Sequence, residues 1–262
     1  MARIDSTQRS PKAAYTAPAL EKGLDILELL ASSELAMSTS QIAERLGRSK
    51  NEIFRMVFVL ENRNYLVRDA ATDMLRLSNW LFEMALRTPR PRQLIDVAFP
   101  LMERLSDEIG HSSHLVVVNR GETVVIATAT GGADIGFTLR LGYRRPAIEA
   151  TSGLTIVAFQ PTAAQQRLIA ESRALTEFAV DDGKLRASLQ RIVREGFFIS
   201  KSHDIGGVTD ICAPIVDRQD RAIGAIVIPC LKRHKKPDRH QDIAAALVAT
   251  CRVISDTLLN SP

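Results

Sequence analysis

STSQIAERLGRSKNEIFRMVFVL, residues 38–60, is the stretch that decides the fold. Within it, residues 38–41 (STSQ) and 49–52 (SKNE) each place a serine three positions before Gln or Glu. This spacing is the capping-box pattern of a helix N-terminus, in which each side chain accepts a hydrogen bond from the other residue's backbone N–H. Gly47 lies between the two starts and predicts the end of the first helix. Two short helices joined by a glycine-containing turn predict a helix-turn-helix.

The flanking segments complete a winged helix-turn-helix over residues 19–78. Leucines and alanine at positions 20, 24, 27 and 31 recur at helical spacing and predict a support helix. The short apolar runs 65–68 and 74–77 surround a polar turn and predict a hairpin, the wing. Residues 1–18 are polar and basic, which predicts a disordered arm.

The rest of the chain predicts a linker helix at 79–92, broken by the TPRPR sequence at 88–92, and a larger domain at 93–262. Pro100 is expected to kink a helix there or to begin one. Grouped strands with helices beside them favour an α+β fold with an antiparallel sheet of about six strands. The predicted strands are 114–119, 123–129, 137–141, 197–200, 208–216 and 222–229.

The composition is that of an ordinary globular protein and excludes several classes. No apolar run approaches membrane-spanning length, and no signal-peptide core is present, so we expect a cytoplasmic protein. The three cysteines are far apart, which favours buried thiols over a disulfide framework or zinc module. His111 and His114 lack a nearby third ligand, and no nucleophile elbow or phosphate loop occurs, so no metal, cofactor or catalytic residue is predicted.

Charge is concentrated on the predicted helix pair. Residues 45–55 carry four cations and one acid, a net charge of +3. Asn51 and Arg55 lie one turn apart, and these residue types pair with adenine and guanine edges in the major groove. Phe58 is close to the same side and is expected to pack under the wing. The predicted DNA contacts, against the alternative of a solvated helix face, are Thr39, Ser40, Arg48, Ser49, Lys50, Asn51, Arg55 and, in the minor groove, Arg68.

Several of these segments resemble one known family. PALEKGLDIL (18–27) and IAERLG (42–47) are similar to the first two helices of the IclR family of regulators. RLG (140–142) through SG (152–153), REGF (194–197) and ICAPI (211–215) resemble that family's effector domain. The resemblance implies a GAF-like α/β domain that binds a small organic effector. We also expect a homo-oligomer, a dimer or dimer of dimers, on double-stranded operator DNA, because one winged helix offers few base contacts.

The same resemblance implies an effector site between the sheet and the helices that cover it. Its implied residues are Ser152, Gly153, Ser200, Val208, Asp210, Val227 and Pro229. A helix N-terminus at Ser152 would receive a carboxylate, whereas Asp210 would repel one. The apolar Val227 and Pro229 favour a partly apolar ligand bearing a polar group, such as an aromatic acid or a phenol. The alternative for each residue is ordinary packing or strand pairing.

The sequence therefore predicts a DNA-binding transcription regulator whose activity responds to a small effector. The alternative is a small-molecule-binding protein or enzyme with an N-terminal interaction domain. Apolar side chains of Leu81, Phe82 and Leu86 on the linker helix favour a dimer, since an isolated helix would not carry them in water.

Overall fold

The computed structural model describes residues 17–33, 35–86, 89–131, 137–177, 179–203, 205–232 and 239–260. All but the last two residues of the predicted arm at 1–18 lie outside these ranges. The chain divides into two compact units, Met1–Thr88 and Pro89–Pro262. The division falls inside the predicted linker, 79–92.

The first unit begins with three helices, α1 (Pro18–Ala31), α2 (Thr39–Arg45) and α3 (Lys50–Asn62). Both predicted capping boxes are present. At each, the serine side chain accepts from the backbone N–H three residues on, and the Gln or Glu side chain accepts from the serine N–H. Gly47 has a φ of +61° and turns the chain between α2 and α3. The helix-turn-helix prediction is confirmed.

A two-stranded hairpin follows, formed by β1 (Leu66–Arg68) and β2 (Leu75–Leu77), with Leu66 opposite Leu77. Helix α4 (Trp80–Leu86) comes next. The core of this unit is built from one side of each helix and the hairpin, namely Ile26, Leu30, Met37, Ile42, Ala43, Ile53, Val57, Leu66 and Leu75. The buried stripe of α1 is thus Ile26 and Leu30. Leu20 and Leu24 lie on another side and are 63% and 45% exposed.

The second unit contains five α-helices, one short 3₁₀ helix (Ala147–Glu149) and six strands among its described residues. The helices are α5 (Pro89–Ile109), α6 (Thr151–Ala158), α7 (Thr162–Arg173), α8 (Asp182–Glu195) and α9 (His240–Asn260). The strands are β3 (Ser113–Asn119), β4 (Glu122–Ala129), β5 (Arg144–Pro146), β6 (Phe198–Lys201), β7 (Val208–Val216) and β8 (Ala222–Leu231). They form one sheet in the order β5-β4-β3-β8-β7-β6, with every neighbouring pair antiparallel. The predicted α+β class and six-stranded antiparallel sheet are confirmed.

Both faces of this sheet are covered. Helices α5 and α9 pack on one face, where Leu115, Ile226 and Leu247 are buried together. On the opposite face Val116 packs with Ile156 of α6. Successive residues of a strand point to opposite faces, so a strand covered on both sides is apolar at nearly every position. This explains the long apolar run of β8.

The cysteines behave as buried small side chains. Cys212, Cys230 and Cys251 are all buried free thiols. Burial raises the pKa of Cys212 to about 12 and also raises the pKa of Cys251. Neither thiol is therefore a reactive thiolate at neutral pH.

Two predictions about the second unit are wrong. The predicted break at 88–92 is mostly helical, because α5 begins at Pro89 and a proline is tolerated in the first turn, where backbone N–H groups have no intrahelical partner. Helix α5 also continues through Pro100. The predicted strand at 137–141 is irregular instead. The chain pairs with β4 only from Gly142, whose φ is +78° and whose N–H donates to the Val125 carbonyl.

Candidate DNA-contacting surface and ligand cavity

The exposed side of α3 carries both polar and aromatic residues. Asn51, Phe54, Arg55 and Phe58 follow a helical spacing on the side away from buried Val57. Phe54 and Phe58 are 59% and 57% exposed. Phe58 lines one depression with Arg68 and Asp73 of the hairpin segment but is not buried there. The sequence analysis did not single out Phe54. Because Phe54 follows Asn51 by three residues, the helical spacing alone places both on this side of α3.

Three polar residues of this surface are available to an outside partner. Lys50, Asn51 and Arg55 are exposed, and none of them makes a hydrogen bond or ion pair with any residue in the part of the chain described. Thr39 and Ser40, the first two residues of α2, line the same depression as Lys50 and Asn51. Arg68 also lines this depression, so with Arg55 the structure brings six of the eight predicted DNA contacts to one side of the helix-turn-helix.

Arg48 and Ser49 have internal partners. Arg48 Nη2 lies 3.1 Å from Asp25 Oδ2 and links the start of α3 to α1. Ser49 Oγ caps α3 and also donates to Glu52 Oε2 at 2.8 Å. Glu52 in turn forms an ion pair with Lys22, which lowers the pKa of Glu52 to about 2. These contacts orient α3 on α1.

Arg68 is held by two acids. Its Nε and Nη2 each lie 2.9 Å from a carboxylate oxygen of Glu61, and Nη1 lies 2.7 Å from Asp73 Oδ1. These hydrogen bonds raise the pKa of Arg68. A guanidinium paired with two carboxylates has little positive charge left for the minor groove. These contacts fasten the hairpin to α3, and the minor-groove contact of Arg68 stays a prediction.

The second unit contains a small, partly open cavity of about 110 Å³. It lies between one face of the sheet, the beginning of α6 and the irregular segment before β5. Its described lining residues are His114, Val116, Thr123, Val125, Phe137, Leu139, Tyr143, Arg145, Glu149, Ala150, Thr151, Ser152, Ser202, His203, Ile205, Asp210, Val227 and Pro229. One wall is mainly apolar, and polar groups converge near α6.

Four of the seven predicted effector residues line this cavity: Ser152, Asp210, Val227 and Pro229. Gly153, Ser200 and Val208 are outside its described lining. A Cβ atom on Gly153 would lie 2.1 Å from the Ala147 carbonyl oxygen, so this glycine permits close packing of α6. The Ser200 hydroxyl donates to the Lys201 carbonyl, and Val208 is buried opposite Leu231 in the sheet. For these three, packing or strand pairing accounts for the residue.

Both carboxylates and the arginine at the cavity have partners within its lining. Thr151 Oγ1 donates to Asp210 Oδ2 at 3.2 Å. Arg145 Nη2 lies 3.6 Å from Glu149 Oε2. The lining thus holds one arginine and two carboxylates, a formal sum of −1 before the histidines are counted.

His114 is the exception among these polar groups. Its side chain is buried, and Nε2 accepts a hydrogen bond from the Leu139 N–H at 2.9 Å. Nδ1 has no hydrogen-bond partner among the described residues. Burial lowers the pKa of His114 to about 4, against the smaller raising effect of the Val227 backbone carbonyl, which faces the ring as a hydrogen-bond acceptor although the geometry falls short of an ordinary bond. The imidazole is therefore neutral at pH 7, and because Nε2 accepts, its proton is on Nδ1.

Other kinds of site find no support in the described ranges. No three His, Cys, Asp or Glu side chains there are grouped to hold a metal ion. In the same residues, none of the helices has the length and apolar character to cross a membrane.

The first unit has a capped helix pair, a hairpin and an exposed basic helix side, and a separate α+β domain follows it. This combination defines a DNA-binding transcription regulator. Comparison with known proteins agrees. The model of the IclR helix-turn-helix domain matches residues 19–70, and that of the bacterial transcriptional regulator IclR C-terminal domain matches 90–256. The chain belongs to the IclR family of bacterial transcriptional regulators.

Individual relatives cover almost the whole chain at low identity. The HTH-type transcriptional repressor AllR of Klebsiella pneumoniae is 24% identical over 96% of this chain and 93% of its own length. The glycerol operon regulatory protein of Streptomyces coelicolor is 25% identical, over 80% of this chain and 83% of its own. Both are named as regulators, so the enzyme alternative is set aside.

A solved structure shares the fold. An IclR homologue of Microbacterium hydrocarbonoxydans, complexed with 4-hydroxybenzoate, superposes with a TM-score of 0.76 at 20% identity, covering 92% of this chain and 98% of the other. At this identity the likeness concerns the fold.

Proposed function

We propose that this regulator binds double-stranded operator DNA through the exposed side of α3, and that a small organic effector in the cavity of the second unit modulates this binding. The observation that carries the proposal is the set of exposed polar side chains at the start of α3 without internal partners, Lys50, Asn51 and Arg55. The protein is expected to act in the cytoplasm, where its operator is.

The proposed contacts follow from side-chain chemistry. Asn51 pairs with the adenine edge and Arg55 with the guanine edge, both in bidentate fashion. Exposed Phe54 is placed beside them to contact a thymine methyl group. Lys50 and the hydroxyls of Thr39 and Ser40 contact phosphates and fix the helix in the groove.

The proposed effector is a single-ring organic compound bearing a polar group. An engineered apolar cavity of about 150 Å³ holds benzene, and the cavity here, about 110 Å³, is of similar size. The homologue with the same fold carries 4-hydroxybenzoate, also a single-ring compound. Apolar Val116, Val125 and Phe137 would contact the ring.

The active form is proposed to be a homo-oligomer, a dimer or a dimer of dimers. Leu20 and Leu24 of α1 are 63% and 45% exposed, and Phe82 of α4 is 65% exposed. Such apolar groups are normally covered by a partner. A second copy would also double the base contacts over a palindromic operator. Light scattering at micromolar concentration tests this, and a monomer with intact operator binding would contradict it.

A mobility shift tests the DNA-binding proposal directly. The full chain should retard its own upstream region more strongly than random DNA of the same length, and rising salt should weaken both complexes. Adding effector should change the operator affinity, and by linkage operator DNA should change the effector affinity by the same factor. Equal retardation of operator and random DNA at every salt concentration would contradict sequence-specific binding.

A further inference from the structure

Two phenylalanines lie next to each other on the exposed side of α3. Phe54 and Phe58 are 59% and 57% exposed. Residues four apart on a helix are neighbours, with about 5–6 Å between their Cβ atoms. Both line the depression that also contains Lys50 and Asn51. Single exposed apolar residues are common, whereas adjoining ones rimmed by polar groups mark a binding surface.

We propose, resting on the DNA-binding role of α3, that Phe54 and Phe58 together read the C5-methyl groups of two pyrimidines in the major groove. Each half of the operator then carries two thymines, or 5-methylcytosines, one or two base-pair steps apart. Phe58 is a specificity-determining residue in this arrangement and does not pack under the hairpin.

The chemistry and spacing of the two rings fit such methyl groups. The thymine methyl is the apolar group that the bases present in the major groove, and Phe is among the side chains that contact it. Base pairs follow one another at about 3.4 Å along a strand. Side chains about 5–6 Å apart therefore match methyl groups one or two steps apart.

The polar residues around the rings favour DNA over a protein partner. Asn51 precedes Phe58 by two helical turns and lies on the same line of α3. Lys50, Asn51 and Arg55 are exposed and without partners in the described structure. A protein surface that covered the phenylalanines would also have to desolvate these groups. The major groove offers them phosphates and base edges beside the methyl groups.

The far end of the same depression is acidic. It holds Glu61, Arg68 and Asp73, in which one guanidinium is paired with two carboxylates. Their formal charges sum to −1, which is unfavourable beside a phosphate. Base edges carry no net charge, so this end of α3 is better placed over the bases, where Phe58 would meet them.

Uracil in place of thymine tests the proposal without altering the protein. Deoxyuridine pairs with adenine as thymine does but lacks the C5-methyl group. Mobility shifts with the full-length protein use its own upstream region, made with deoxyuridine at one thymine at a time. In each half of the operator, two thymines one or two steps apart should each lose about fourfold in affinity, the effect of one buried methyl group. No sensitive thymine, or sensitive thymines only far apart, would overturn the proposal.

Substitutions at Phe58 and Phe54 assign the methyl groups to the two rings. Phe58→Ala should bind the thymine and uracil operators equally at one of the two positions, and Phe54→Ala at the other, whereas Phe58→Leu should keep most of the preference. Both rings are exposed and alanine favours helix, so circular dichroism should stay unchanged. The control is Leu35→Ala, because Leu35 is 78% exposed in the same unit and outside the described lining of the depression. A wild-type preference for thymine in both alanine variants would overturn the proposal.

5-Methylcytosine separates the methyl group from the rest of the base. Cytosine presents an amino donor where thymine presents an oxygen, so operators with cytosine at the two positions should bind more weakly than the native one. The methylated form should bind about fourfold more tightly than the unmethylated form at each position. Equal binding of the two forms would overturn the proposal. Specific retardation of the operator without any uracil effect overturns the role of the phenylalanines alone, whereas equal retardation of operator and random DNA overturns the regulator proposal as well.

Discussion

The exposed side of α3 and the cavity of the second unit satisfy their polar groups in opposite ways. On α3, Lys50, Asn51 and Arg55 are exposed and without partners in the described structure. In the cavity, Asp210 accepts from Thr151 and Arg145 pairs with Glu149. One surface depends on an outside partner for its hydrogen bonds, and the other is mostly complete without one.

This difference indicates how each site obtains its specificity. A surface of unpaired groups exchanges water for DNA, so most of its side chains can contribute to affinity. A cavity whose polar groups are already paired discriminates through the few that are not, because a ligand that leaves a buried donor unpaired binds less well. The five predictions below test this contrast, from the largest expected effect to the smallest.

Gly153→Ala should destabilise the second unit without acting on the ligand. The added Cβ would lie 2.1 Å from the Ala147 carbonyl oxygen, a backbone atom that cannot move aside easily. We expect a loss of about 3 kcal/mol in the free energy of unfolding, measured by denaturant titration with circular dichroism. Gly23→Ala in α1 is the control, because no atom lies within 4 Å of its Cβ position. A wild-type unfolding curve for Gly153→Ala would restore Gly153 as a candidate ligand contact.

His114 should make stability depend on pH. Burial lowers its pKa in the folded state from 6.5 to about 4. Below pH 6.5 the unfolded imidazole binds a proton that the folded one does not, so stability falls as the pH decreases from 6.5 towards 4 and levels off below. The difference corresponds to about 3 kcal/mol. The contribution of His114 is measured by comparing the free energy of unfolding of the wild type with that of His114→Gln at each pH. Parallel curves over this range would show that His114 is not held neutral by burial.

The helix-turn-helix could be predicted almost to the residue, because its signals are local. The capping boxes at Ser38 and Ser49 and the turn at Gly47 each depend on neighbours within a few positions. Asn51 and Arg55 share a side of one helix, so their spacing alone brings them together. Arg68 could not be predicted in the same way, since its pairing with Glu61 depends on how the hairpin packs against α3.

The cavity was predictable only in part, because separate segments build it. Asp210 and Ser152 were reached through the family resemblance. His114 and Tyr143 were missed as lining residues. His114 sits in an apolar strand, and an inward-facing strand residue looks the same in sequence whether it meets a cavity or a neighbouring side chain. The incorrect prediction of a strand at 137–141 also arose from a feature that the local sequence does not show. The turn at Gly142 decides where the chain begins to pair with the edge of β4.

Arg55→Ala should reduce sequence discrimination more than general DNA affinity. If Arg55 reads a guanine, its removal should cost about 1–3 kcal/mol on the operator and less on random DNA. Titrated mobility shifts on both DNAs measure this. Arg186→Ala on exposed α8 removes the same charge in the other unit and is the control. Equal losses on the two DNAs would place Arg55 on a phosphate.

Asp210→Asn should improve the binding of anionic ligands while leaving DNA binding without ligand unchanged. The substitution removes the negative charge and keeps an oxygen that accepts from Thr151. Benzoate affinity should rise by roughly 1 kcal/mol, with phenol affinity little changed. Asp256→Asn on the exposed side of α9 is the calorimetric control. An unaltered benzoate affinity would mean that the Asp210 charge does not act on the ligand.

Lys50→Ala should have the smallest effect, visible mainly in the salt dependence. Lys50 is the first residue of α3 and exposed, and a lysine there acts as a point charge towards phosphate. Its loss should weaken operator and random DNA about equally and reduce the slope of log affinity against log salt by ~1. The matched control is Lys184→Ala at the start of α8, which should leave the slope unchanged. An unchanged slope for Lys50→Ala, or a loss confined to the operator, would mean that Lys50 does not contact phosphate. Together with Arg55→Ala, this variant separates positioning from base reading within the first two turns of one helix.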